Sequence, residues 1–552
     1  MNNNDLEFYI PHNINIRDLL KKEGKGLRYI DCQIDKYHWF LDALYKRSIV
    51  NKRYSTGDFI PINHKKLGEL LGSRYIVHIK KFFLSQGIIE SDGDYEIDNK
   101  CLGFRLTPEY QVRHIKLLQD DDSTFIKNLK TFHQKQITKM DEITRYTYDQ
   151  LNNIGIYREE AEKYVEDWYH QNYLVENPKL VMKLAKLNKK RRKRENKAKV
   201  NNQAIKHLVL TYYQLLEIMR DSYLFQIKAI DEKTWLPKRD DKGLRIHTYL
   251  SNAWKELRQF LYVKSNPAIQ LVSLDCSNSQ PYTLVKILLE YFNGLDLYSG
   301  EYEDTLLYIE LVTTGKLYSF MCQKLSITDP EEITEFKVQM FEKIFYCANE
   351  EGYDTKAAET FRNFFPTVYQ IIMHEKMFDY NKWVNQMQMV DSSTTSNEAL
   401  FEHKLKLAKK NAYKQLSIQM QRVESKAILD TSVSLLKDKY GTTVWFGSIH
   451  DAILCPMELA DEVRQLMLES FTSVVGIPPH IKSPEKVNVL KVRKEVDTYS
   501  ELPDTTPLAE LQQRFETLFA STAYNKNIER RVPETDFYVK KRKAYIEYGI
   551  EW

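Results

Sequence analysis

The sequence predicts an α+β fold of several domains, and three patterns in the 552-residue chain lead to that prediction. Residues 36–110 have the pattern of two short helices followed by a hairpin. Residues 120–230 have helical periodicity and polar faces throughout. Two short β-rich segments, 270–281 and 444–456, lie far apart among further helices, and each contains an aspartate. Short strands scattered among long helices are typical of the α+β class.

The composition indicates a globular chain that does not cross a membrane. Hydrophobic residues make up 43% and aromatic residues 12%, and no run of about eighteen apolar residues occurs. The first residues lack the basic and apolar layout of a signal peptide. Six scattered cysteines form no zinc pattern and favour a reducing compartment. We therefore expect a soluble, cytoplasmic protein, and the net charge of +4 is too small to indicate a nucleic-acid partner by itself.

Residues 1–115 are predicted to form a winged-helix domain. A short amphipathic helix ends at Gly72, a second runs from Tyr75 to Gln86, and two β-rich segments follow around a polar turn. Two helices and a hairpin in this order are typical of a winged helix. Winged helices also dock other proteins, so replication proteins are an alternative partner to DNA. The candidates for phosphate contacts on the second helix are Arg74, His78, Lys80 and Lys81.

Residues 116–235 are predicted to be helical and contain the strongest basic segment of the chain. Ten Lys or Arg residues lie between Lys183 and Lys199, with an unbroken run from Lys189 to Arg194. Such a run is usually a solvated helix face or a mobile arm, and a nuclear-import signal is a further alternative. A basic run also holds the phosphates of duplex nucleic acid by charge. The candidates for that contact are Lys189, Lys190, Arg191 and Arg192.

Two aspartates stand at the ends of predicted strands. An apolar run from Gln270 ends in Asp275, and a helical pattern begins after the polar residues that follow. A second run carries His450 and Asp451 at the bend between two predicted antiparallel strands, with Asp451 placed 176 residues after Asp275. Either aspartate alone is commonly a turn residue or a helix cap. On neighbouring strands, the two carboxylates would meet on one sheet.

These segments resemble the motifs of a polymerase superfamily. Residues Asp275 to Gln280 look like motif A, and Ile449 to Asp451 looks like motif C, of the superfamily that joins family A DNA polymerases, the DNA polymerase I type, with single-subunit phage-type RNA polymerases. The resemblance extends over residues 120–480 and implies a right-hand polymerase fold. It assigns the thumb to 116–235, the palm to 236–300 and 401–484, the fingers to 301–400 and a C-terminal extension to 485–552. Nothing in the sequence resembles the paired acidic motifs of a proofreading exonuclease.

The resemblance assigns further residues to the primer–template. The segment from Gly243 to His247 is similar to the family's element ahead of motif A, whose arginine lies along the minor groove. An arginine there tests base-pair geometry, because minor-groove acceptors are shared by every Watson–Crick pair. The segment 419–425 resembles the helix before motif C, whose polar residues face the primer terminus. The residues assigned in this way are Arg245, His247, Asn252, Arg258 and Gln421.

Residues Phe336 to Tyr346 resemble motif B, the helix that receives the nucleotide. Lys337, Phe341 and Phe345 are four residues apart and are predicted to share one helix face. The resemblance implies a lysine on the triphosphate and an aromatic ring on the base. The family's glycine after the aromatic residue is absent, and no arginine stands one turn before Lys337, so an amphipathic core helix is the alternative. The candidates for nucleotide contacts are Lys337, Lys343, Phe345, Tyr346 and Gln280.

The resemblance also implies the chemistry. Asp275, Asp451 and the backbone carbonyl of Cys276 would bind two Mg²⁺ ions, which Mn²⁺ is able to replace. His450 would hydrogen-bond near the primer end, and Lys337 would neutralise the triphosphate; these two residues and the aspartates form the expected catalytic set. We expect a DNA polymerase that extends a primer with dNTPs. The alternatives are a single-subunit RNA polymerase and a non-catalytic winged-helix initiator of replication.

The choice of sugar depends on Gln280. Family A DNA polymerases carry a glutamate five residues after the motif A aspartate, where its bulk excludes a ribose 2′-hydroxyl, and phage-type RNA polymerases carry a glycine. Gln280 has the length and shape of a glutamate, but its amide also has donors for a 2′-oxygen. The pattern of Ser277 and Ser279 is that of the RNA enzymes. We expect dNTPs, because the bulk of the side chain acts whichever way the amide points.

Overall fold

The structure is a computed structural model that describes residues 7–50, 58–93, 101–111, 114–118, 123–200, 209–293, 297, 300–347, 355–376 and 413–488. These residues form many helices and several small antiparallel sheets, so the predicted α+β class is confirmed. The chain divides into two compact units, each built from two stretches of sequence. The first unit contains Met1–Pro237 and Thr248–Ser265, and the second contains Lys238–His247 and Asn266–Trp552. Both aspartate segments therefore belong to the second unit.

The elements as far as the end of the first unit alternate long helices with very short strands. In chain order they are β1 (Glu7–Pro11), α1 (Ile16–Lys22), α2 (Leu27–Val50), β2 (Ile60–Pro61), α3 (His64–Leu71), α4 (Ser73–Ser85), β3 (Ile89–Ser91), β4 (Gly103–Leu106), β5 (His114–Leu118), α5 (Thr124–Thr138), α6 (Glu142–Asn152), β6 (Ile154–Ile156), α7 (Arg158–Leu174), α8 (Pro178–Val200), α9 (Tyr212–Glu232), β7 (Lys238–Arg239), β8 (Ile246–His247), α10 (Tyr249–Asn252) and β9 (Leu261–Val263). Of these, only the hairpin of β7 and β8 belongs to the second unit.

The remaining elements place two strand-rich segments on either side of a helical insertion. They are β10 (Leu271–Asp275), α11 (Ser279–Tyr291), α12 (Glu303–Thr313), α13 (Leu317–Lys324), α14 (Pro330–Met340), α15 (Lys356–Phe364), α16 (366–376), α17 (Lys414–Ser425), α18 (Ser434–Tyr440), β11 (Gly447–Ile449), β12 (Ala452–Pro456), α19 (Ala460–Val475) and β13 (Glu485–Lys486). Two π-helical segments continue α14 and α17, at Phe341–Phe345 and Lys426–Val433.

The two helices predicted within residues 36–110 are present, and the predicted strand at 102–107 is present as β4, which pairs with a strand earlier than the one predicted. After α3 and α4, strands β3 and β4 pair with each other, and β2 joins them in the order β2-β4-β3. The buried face of α4 packs on α2, where the rings of Tyr37 and Phe82 lie 5.2 Å apart and Phe40 stacks on Phe83. The strand predicted at 95–97 lies outside the described residues.

The basic side chains of α4 do not all have the environment that a phosphate contact requires. Arg74, His78 and Lys81 are exposed. Lys80 is half-buried, with its ammonium nitrogen 4.7 Å from the centroid of the Phe104 ring, and burial lowers its pKa. The prediction that Lys80 faces a phosphate backbone is therefore wrong, because its charge is directed onto an aromatic ring within the domain.

The region predicted to be helical from 120 to 230 contains one short strand. Strand β6 lies between α6 and α7 and pairs with β9. Gly155 stands at the middle of β6, where a Cβ atom would lie 2.4 Å from Cζ of Tyr262 on β9. The strand therefore needs a glycine, since only a residue without a side chain lets the tyrosine ring cross it. Helical periodicity on both sides concealed this three-residue element.

The basic run lies on α8, and one of its members is buried. Lys189, Lys190 and Arg192 are exposed, as a nucleic-acid contact requires. Arg191 is 1% exposed, and its Nε lies 3.5 Å from the carboxylate of Asp58, which is also buried. The prediction that Arg191 contacts nucleic acid is therefore wrong, because the guanidinium is enclosed within the first unit beside its own counterion.

The second unit is built on a four-stranded antiparallel sheet in the order β11-β12-β10-β13. The strands predicted on both sides of residues 450 and 451 are confirmed as β11 and β12, with the bend between them. Helices α11 and α19 meet beside this sheet, where the rings of Tyr282 and Phe471 lie 5.7 Å apart. The amphipathic helix predicted from Met457 to Phe471 is confirmed as α19, which follows a short 3₁₀ turn.

Two regions of interest in the sequence receive no structural description. Residues 377–412, at the junction of the predicted fingers and palm, and residues 489–552, most of the predicted C-terminal extension, lie outside the described residues. Within the described part of the chain, no helix has the length and apolar character needed to span a bilayer.

The buried pair of Arg191 and Asp58 gives a first test. Arg191→Met is expected to lower the free energy of unfolding of the first unit by about 3 to 5 kcal/mol, because it leaves a buried carboxylate without that cation. Arg192→Met, one residue away on the exposed face of α8, is the matched control and is expected to change stability by about 0.5 kcal/mol or less. Urea unfolding of the full chain measures both. Equal effects of the two substitutions would contradict the burial of Arg191.

Candidate active site

The ends of β10 and β12 bring two carboxylates to one edge of the sheet. Asp275, the last residue of β10, lies opposite Ala452, the first residue of β12. The N–H of Cys276 donates to the backbone carbonyl of Asp451, with an N···O distance of 3.2 Å. Asp275 and Asp451 are therefore neighbours across this strand pair, although 176 residues separate them in the sequence.

The backbone turns sharply beside each aspartate. His450 and Asp451 alone join β11 to β12, and His450 has a φ of +56°. A two-residue hairpin requires positive φ at its first central position, which histidine tolerates better than a branched residue. Asn278, with a φ of +51°, makes the corresponding turn from β10 into α11. His450 is exposed at the tip of its hairpin, beside the carboxylate pair.

The surroundings of the carboxylate pair disfavour the ionised form of Asp451. Burial raises the pKa of Asp451 well above its usual range, and the nearby carboxylates of Glu424 and Asp275 raise it further. The ammonium group of Lys482 contacts the carboxylate of Asp275 and offsets part of this charge. A cation at this position is thus part of the structure.

Lys482 comes from a segment in which the sequence gave no indication of a site. Residues 480–482 run beside the end of β10, where the backbone N–H of Lys482 donates to the carbonyl of Asp275 over 2.9 Å. Nδ1 of His480 lies 2.8 Å from the hydroxyl of Ser277, and the tautomer of the ring decides which of the two donates the hydrogen bond. Two prolines precede these residues, and the segment pairs with the end of β10 through a bridge between Ile481 and Cys276.

Glu424 is the buried centre of a polar network. It is 1% exposed, and its Oε1 accepts from Nε and Nη2 of Arg245 at 2.9 and 2.6 Å. Its Oε2 accepts from the hydroxyl of Ser279 at 2.8 Å and from the amide of Gln280. The sequence held a signal for this residue, because Leu416, Met420 and Glu424 recur every four residues on the buried face of α17. A charged residue in an apolar stripe indicates a buried partner.

A π-helical turn brings Tyr346 to this network. The N–H of Tyr346 donates to the carbonyl of Phe341, five residues earlier, over 2.7 Å. This bond adds one residue to the turn, so Tyr346 lies beside Phe341 with ring centroids 5.5 Å apart. The hydroxyl of Tyr346 donates to Oε1 of Gln280 at 2.8 Å, and burial raises its pKa to about 12.

Phe345, the residue before Tyr346, lies in the core and not at this network. Phe345 is fully buried and packs edge-on against Phe361 of α15, with ring centroids 5.9 Å apart. Phe341 and Phe345 remain neighbours, with ring centroids 6.1 Å apart, but the burial of Phe345 contradicts its prediction as a nucleotide contact. Of the two aromatic candidates, Tyr346 is the one beside Gln280.

Lys337 and Lys343 are both half-buried on this segment. The ammonium group of Lys337 lies 5.6 Å from the ring centroid of Tyr318 on α13. Burial raises the pKa of Tyr318, and the nearby Tyr346 and Asp451 raise it further. Tyr318 therefore contacts α14 and lies within electrostatic range of Asp451, a position that the sequence did not single out.

Arg245 is held by the hairpin of β7 and β8, which packs on α17 and its π-helical continuation. Arg239 forms two bonds to Asp430, at 2.7 and 2.8 Å, and the hydroxyl of Ser425 donates to the carbonyl of Gly243 at 2.8 Å. A Cβ atom at Gly243 would lie 2.5 Å from Oε1 of Gln421. The hairpin thus places Gly243, two residues before Arg245, directly against Gln421.

The other residues assigned to the primer–template lie in different environments. His247 contacts the carboxylate of Asp240 at 3.0 Å and is 44% exposed. Asn252 and Arg258 belong to the first unit, where the side chain of Asn252 donates to the carbonyl of Thr248 at 2.9 Å. His247 and Arg245 are in the second unit, so the two halves of this predicted set belong to separate units.

The donor set at the carboxylate pair fits a hard divalent cation. Asp275 and Asp451 supply carboxylate oxygens, and the Cys276 carbonyl is a further oxygen at the same strand end. Lys482 already places a positive group on Asp275, which indicates that the pair favours a cation. Among the described residues, no group of three or more His, Cys, Asp or Glu side chains is arranged to hold a metal ion. Further ligands would therefore come from the backbone and from a bound molecule.

The close approach of Gly315 to this site gives a second test. Gly315 has a φ of +78°, and a Cβ atom there would lie 3.1 Å from Cβ of Ser277 and 3.2 Å from Nδ1 of His480. Gly315→Ala is expected to destabilise the protein by about 2 to 4 kcal/mol through backbone strain and crowding together. Gly300→Ala has the same strain, at a φ of +87°, but open space around the new methyl group. Melting temperatures compare the two, and an equal loss would show that Gly315 is not packed against Ser277 and His480.

Comparison with known proteins gives no family assignment. No protein-family model matches the sequence, and no curated protein matches it. Among solved structures, the chain is similar to the POL domain of Pol1 from M. smegmatis in a complex with DNA primer-template and dNTP. That similarity has a TM-score of 0.34 and 11% sequence identity, and it spans 66% of this chain and 73% of the other.

Proposed function

We propose that this protein is a template-directed nucleotidyltransferase, and specifically a DNA polymerase of the family A type that extends a primer with dNTPs. The observation that carries the proposal is the convergence of Asp275 and Asp451 on adjacent strand ends, in the unit where Tyr346 meets Gln280. Two strand-borne carboxylates at one sheet edge are the protein ligands that nucleotidyl transfer needs.

Asp275, Asp451 and the carbonyl of Cys276 would hold two Mg²⁺ ions, with Mn²⁺ as a substitute. When bound, the metal ions activate the primer 3′-hydroxyl and neutralise the leaving pyrophosphate. The two carboxylates concentrate negative charge at one place, which the raised pKa of Asp451 reflects. A divalent cation would be favoured there because it compensates for this charge. Lys482 lies on Asp275 and is placed to contact phosphate oxygens at the same edge.

The nucleotide would be held by the helix that carries motif B. Lys337 supplies positive charge to the triphosphate, and Lys343 lies further along the same segment. The aromatic face for the base is that of Tyr346, since Phe345 is enclosed in the core. Tyr346 is fixed at its hydroxyl by Gln280, which leaves the ring as the part that contacts a base.

The primer–template would lie against Arg245 and Gln421, near the exposed His450. A guanidinium has five N–H donors, and Arg245 directs two nitrogens, Nε and Nη2, at Glu424. The side chain is 20% exposed, so its outer edge is presented to solvent. In the first unit, the winged helix and the exposed basic residues of α8 would hold duplex phosphates, with Asn252 and Arg258 in the same unit.

The carboxylate pair is the first point to test. Asp275→Asn and Asp451→Asn are each expected to lower the rate of primer extension by about 1,000-fold or more, because several kcal/mol of charge stabilisation is lost. Neither should reduce the melting temperature, since removing one of two crowded carboxylates relieves repulsion. Primer extension with Mg²⁺ and with EDTA measures the effect.

Asp461→Asn is the control for these two substitutions, because Asp461 is an exposed carboxylate on α19 of the same unit. It is expected to extend primers at the wild-type rate. Extension by Asp275→Asn at the wild-type rate would end the proposal of two-metal chemistry. A wild-type protein that incorporates only NTPs would replace the DNA polymerase with the RNA polymerase alternative.

The exposed residues of α8 give a separate test of nucleic-acid binding. Changing Lys189, Lys190, Arg192 and Lys193 together to Gln is expected to weaken binding to primer–template equally for all sequences. The slope of log K against log salt concentration should fall by about one unit for each lost phosphate contact. Binding is measured by fluorescence anisotropy at several salt concentrations.

A variant with the same loss of charge elsewhere in the first unit controls for the change in net charge. It replaces four other exposed basic residues with Gln: Lys21, Lys22, Arg28 and Lys135. The salt slope of this control should stay near that of the wild type. If both variants have the same slope, the basic run of α8 is a solvated face.

A further inference from the structure

We propose that Glu424 is a positioning residue for sugar selection, because its charge fixes the orientation of the Gln280 amide. The inference rests on the proposed function and deepens it. Glu424 does not need to touch the nucleotide for this role, since it acts through Gln280. The evidence lies in how the hydrogen bonds of the two side chains are distributed.

The carboxylate of Glu424 is held as an ion inside the protein. It is 1% exposed and accepts two bonds from the guanidinium of Arg245, at 2.9 and 2.6 Å. A buried carboxylate keeps its charge only where a cation and further donors compensate for lost water. The hydroxyl of Ser279 supplies such a donor at 2.8 Å, and the amide of Gln280 supplies another.

An ionised carboxylate accepts hydrogen bonds and donates none. The end of the Gln280 amide that faces Glu424 must therefore be its NH₂ group, because the opposite orientation would set an amide oxygen against a charged oxygen. This settles by chemistry what the shape of a glutamine side chain does not. The amide oxygen is then turned toward Tyr346, whose hydroxyl donates to it at 2.8 Å.

Both ends of the Gln280 amide thus have partners within the protein. A tyrosine hydroxyl alone would not have fixed the orientation, since it accepts as readily as it donates. Gln280 is 7% exposed, so its bulk fills the space between Glu424 and Tyr346. An incoming ribose would meet this bulk. Glu424 takes one of the two N–H donors of the Gln280 amide and holds the NH₂ group on its own side, away from the position that the group would occupy if the amide turned over. The hydrogen-bonding route to NTP acceptance is thereby restricted as long as Glu424 carries its charge.

Glu424→Gln removes the charge and keeps the size of the side chain. A glutamine at 424 both donates and accepts, so the Gln280 amide is released to turn over and donate to a 2′-oxygen. The ratio of kcat/KM for a dNTP to kcat/KM for the matching NTP is expected to fall by about 10- to 100-fold. The fall should appear chiefly as a lower KM for the NTP, because the new bond is made to the bound sugar.

Two further variants show whether Glu424 acts through Gln280. In the exchanged pair, Glu424→Gln with Gln280→Glu, the carboxylate sits on the other side of the same contact. It accepts from the new amide at 424 and from Tyr346, and the discrimination is expected to return toward the wild-type ratio. Gln280→Gly removes the bulk and should lose discrimination, and adding Glu424→Gln to it should change the ratio no further.

Glu375→Gln is the matched control. Glu375 is a fully buried carboxylate of the same unit that accepts from Tyr291 at 2.9 Å and from Gln419 at 3.1 Å, with no bond to Gln280 among those found in the described residues. It should leave the sugar ratio unchanged. Melting temperatures are measured for every variant, so a general loss of fold is recognised.

The outcomes separate the inference from the proposed function. A wild type that incorporates neither dNTPs nor NTPs ends both. A wild type that discriminates, with Glu424→Gln discriminating equally, overturns the inference and leaves the polymerase proposal standing. If Glu424→Gln lowers the melting temperature too far for kinetics, the exchanged pair decides, because it keeps one negative charge within the same hydrogen-bond network. Discrimination by the exchanged pair as poor as that of Gln280→Gly would then overturn the inference.

Discussion

The pairing of β10 with β12 is the contact on which the second unit depends. Each strand has five residues, and all five are in register with a partner on the other. Both faces of the pair carry fully buried aliphatic side chains, with Leu271 on one face and Leu274 and Ile453 on the other. Burial of each contributes about 1.5 to 3 kcal/mol, and these contributions together offset the repulsion between two carboxylates at the strand ends. The apolar strands hold the charged site together.

A guanidinium paired with a buried carboxylate occurs in both units, and the energetics of such pairs indicate what they do. Arg191 with Asp58 lies within the first unit, and Arg245 with Glu424 lies within the second. Such a pair gains little stability over well-packed apolar residues, because desolvation cancels most of the attraction. The effect of the pair is geometric, because each charged group must lie close enough to its partner for the two charges to compensate each other. For Glu424 this geometry extends to two more donors, and an arrangement of four hydrogen bonds has few alternatives.

Both helices that supply the site change to π-helical geometry next to it. The segment Phe341–Phe345 moves Tyr346 onto Gln280, and the segment Lys426–Val433 presents Asp430 to Arg239. A π-helical turn adds one residue without breaking the helix, so it rotates every later side chain to a new face. This rotation explains why one aromatic residue of an adjacent pair lies at the site and the other in the core.

The sequence by itself determined the local elements and the chemistry that they carry. The apolar run before Asp275 and the alternating run around His450 and Asp451 depend only on neighbouring residues, so the strands and the bend were predictable. The same is true of the two helices and strand β4 of the first unit. The meeting of Asp275 with Asp451 was expected only through the resemblance of the two segments to known motifs, because pairing between strands 176 residues apart leaves no local pattern. Tertiary structure alone decided that Lys482 lies on Asp275, that Arg191 is buried and that Tyr346, and not Phe345, lies beside Gln280, since each of these depends on a partner distant in the chain.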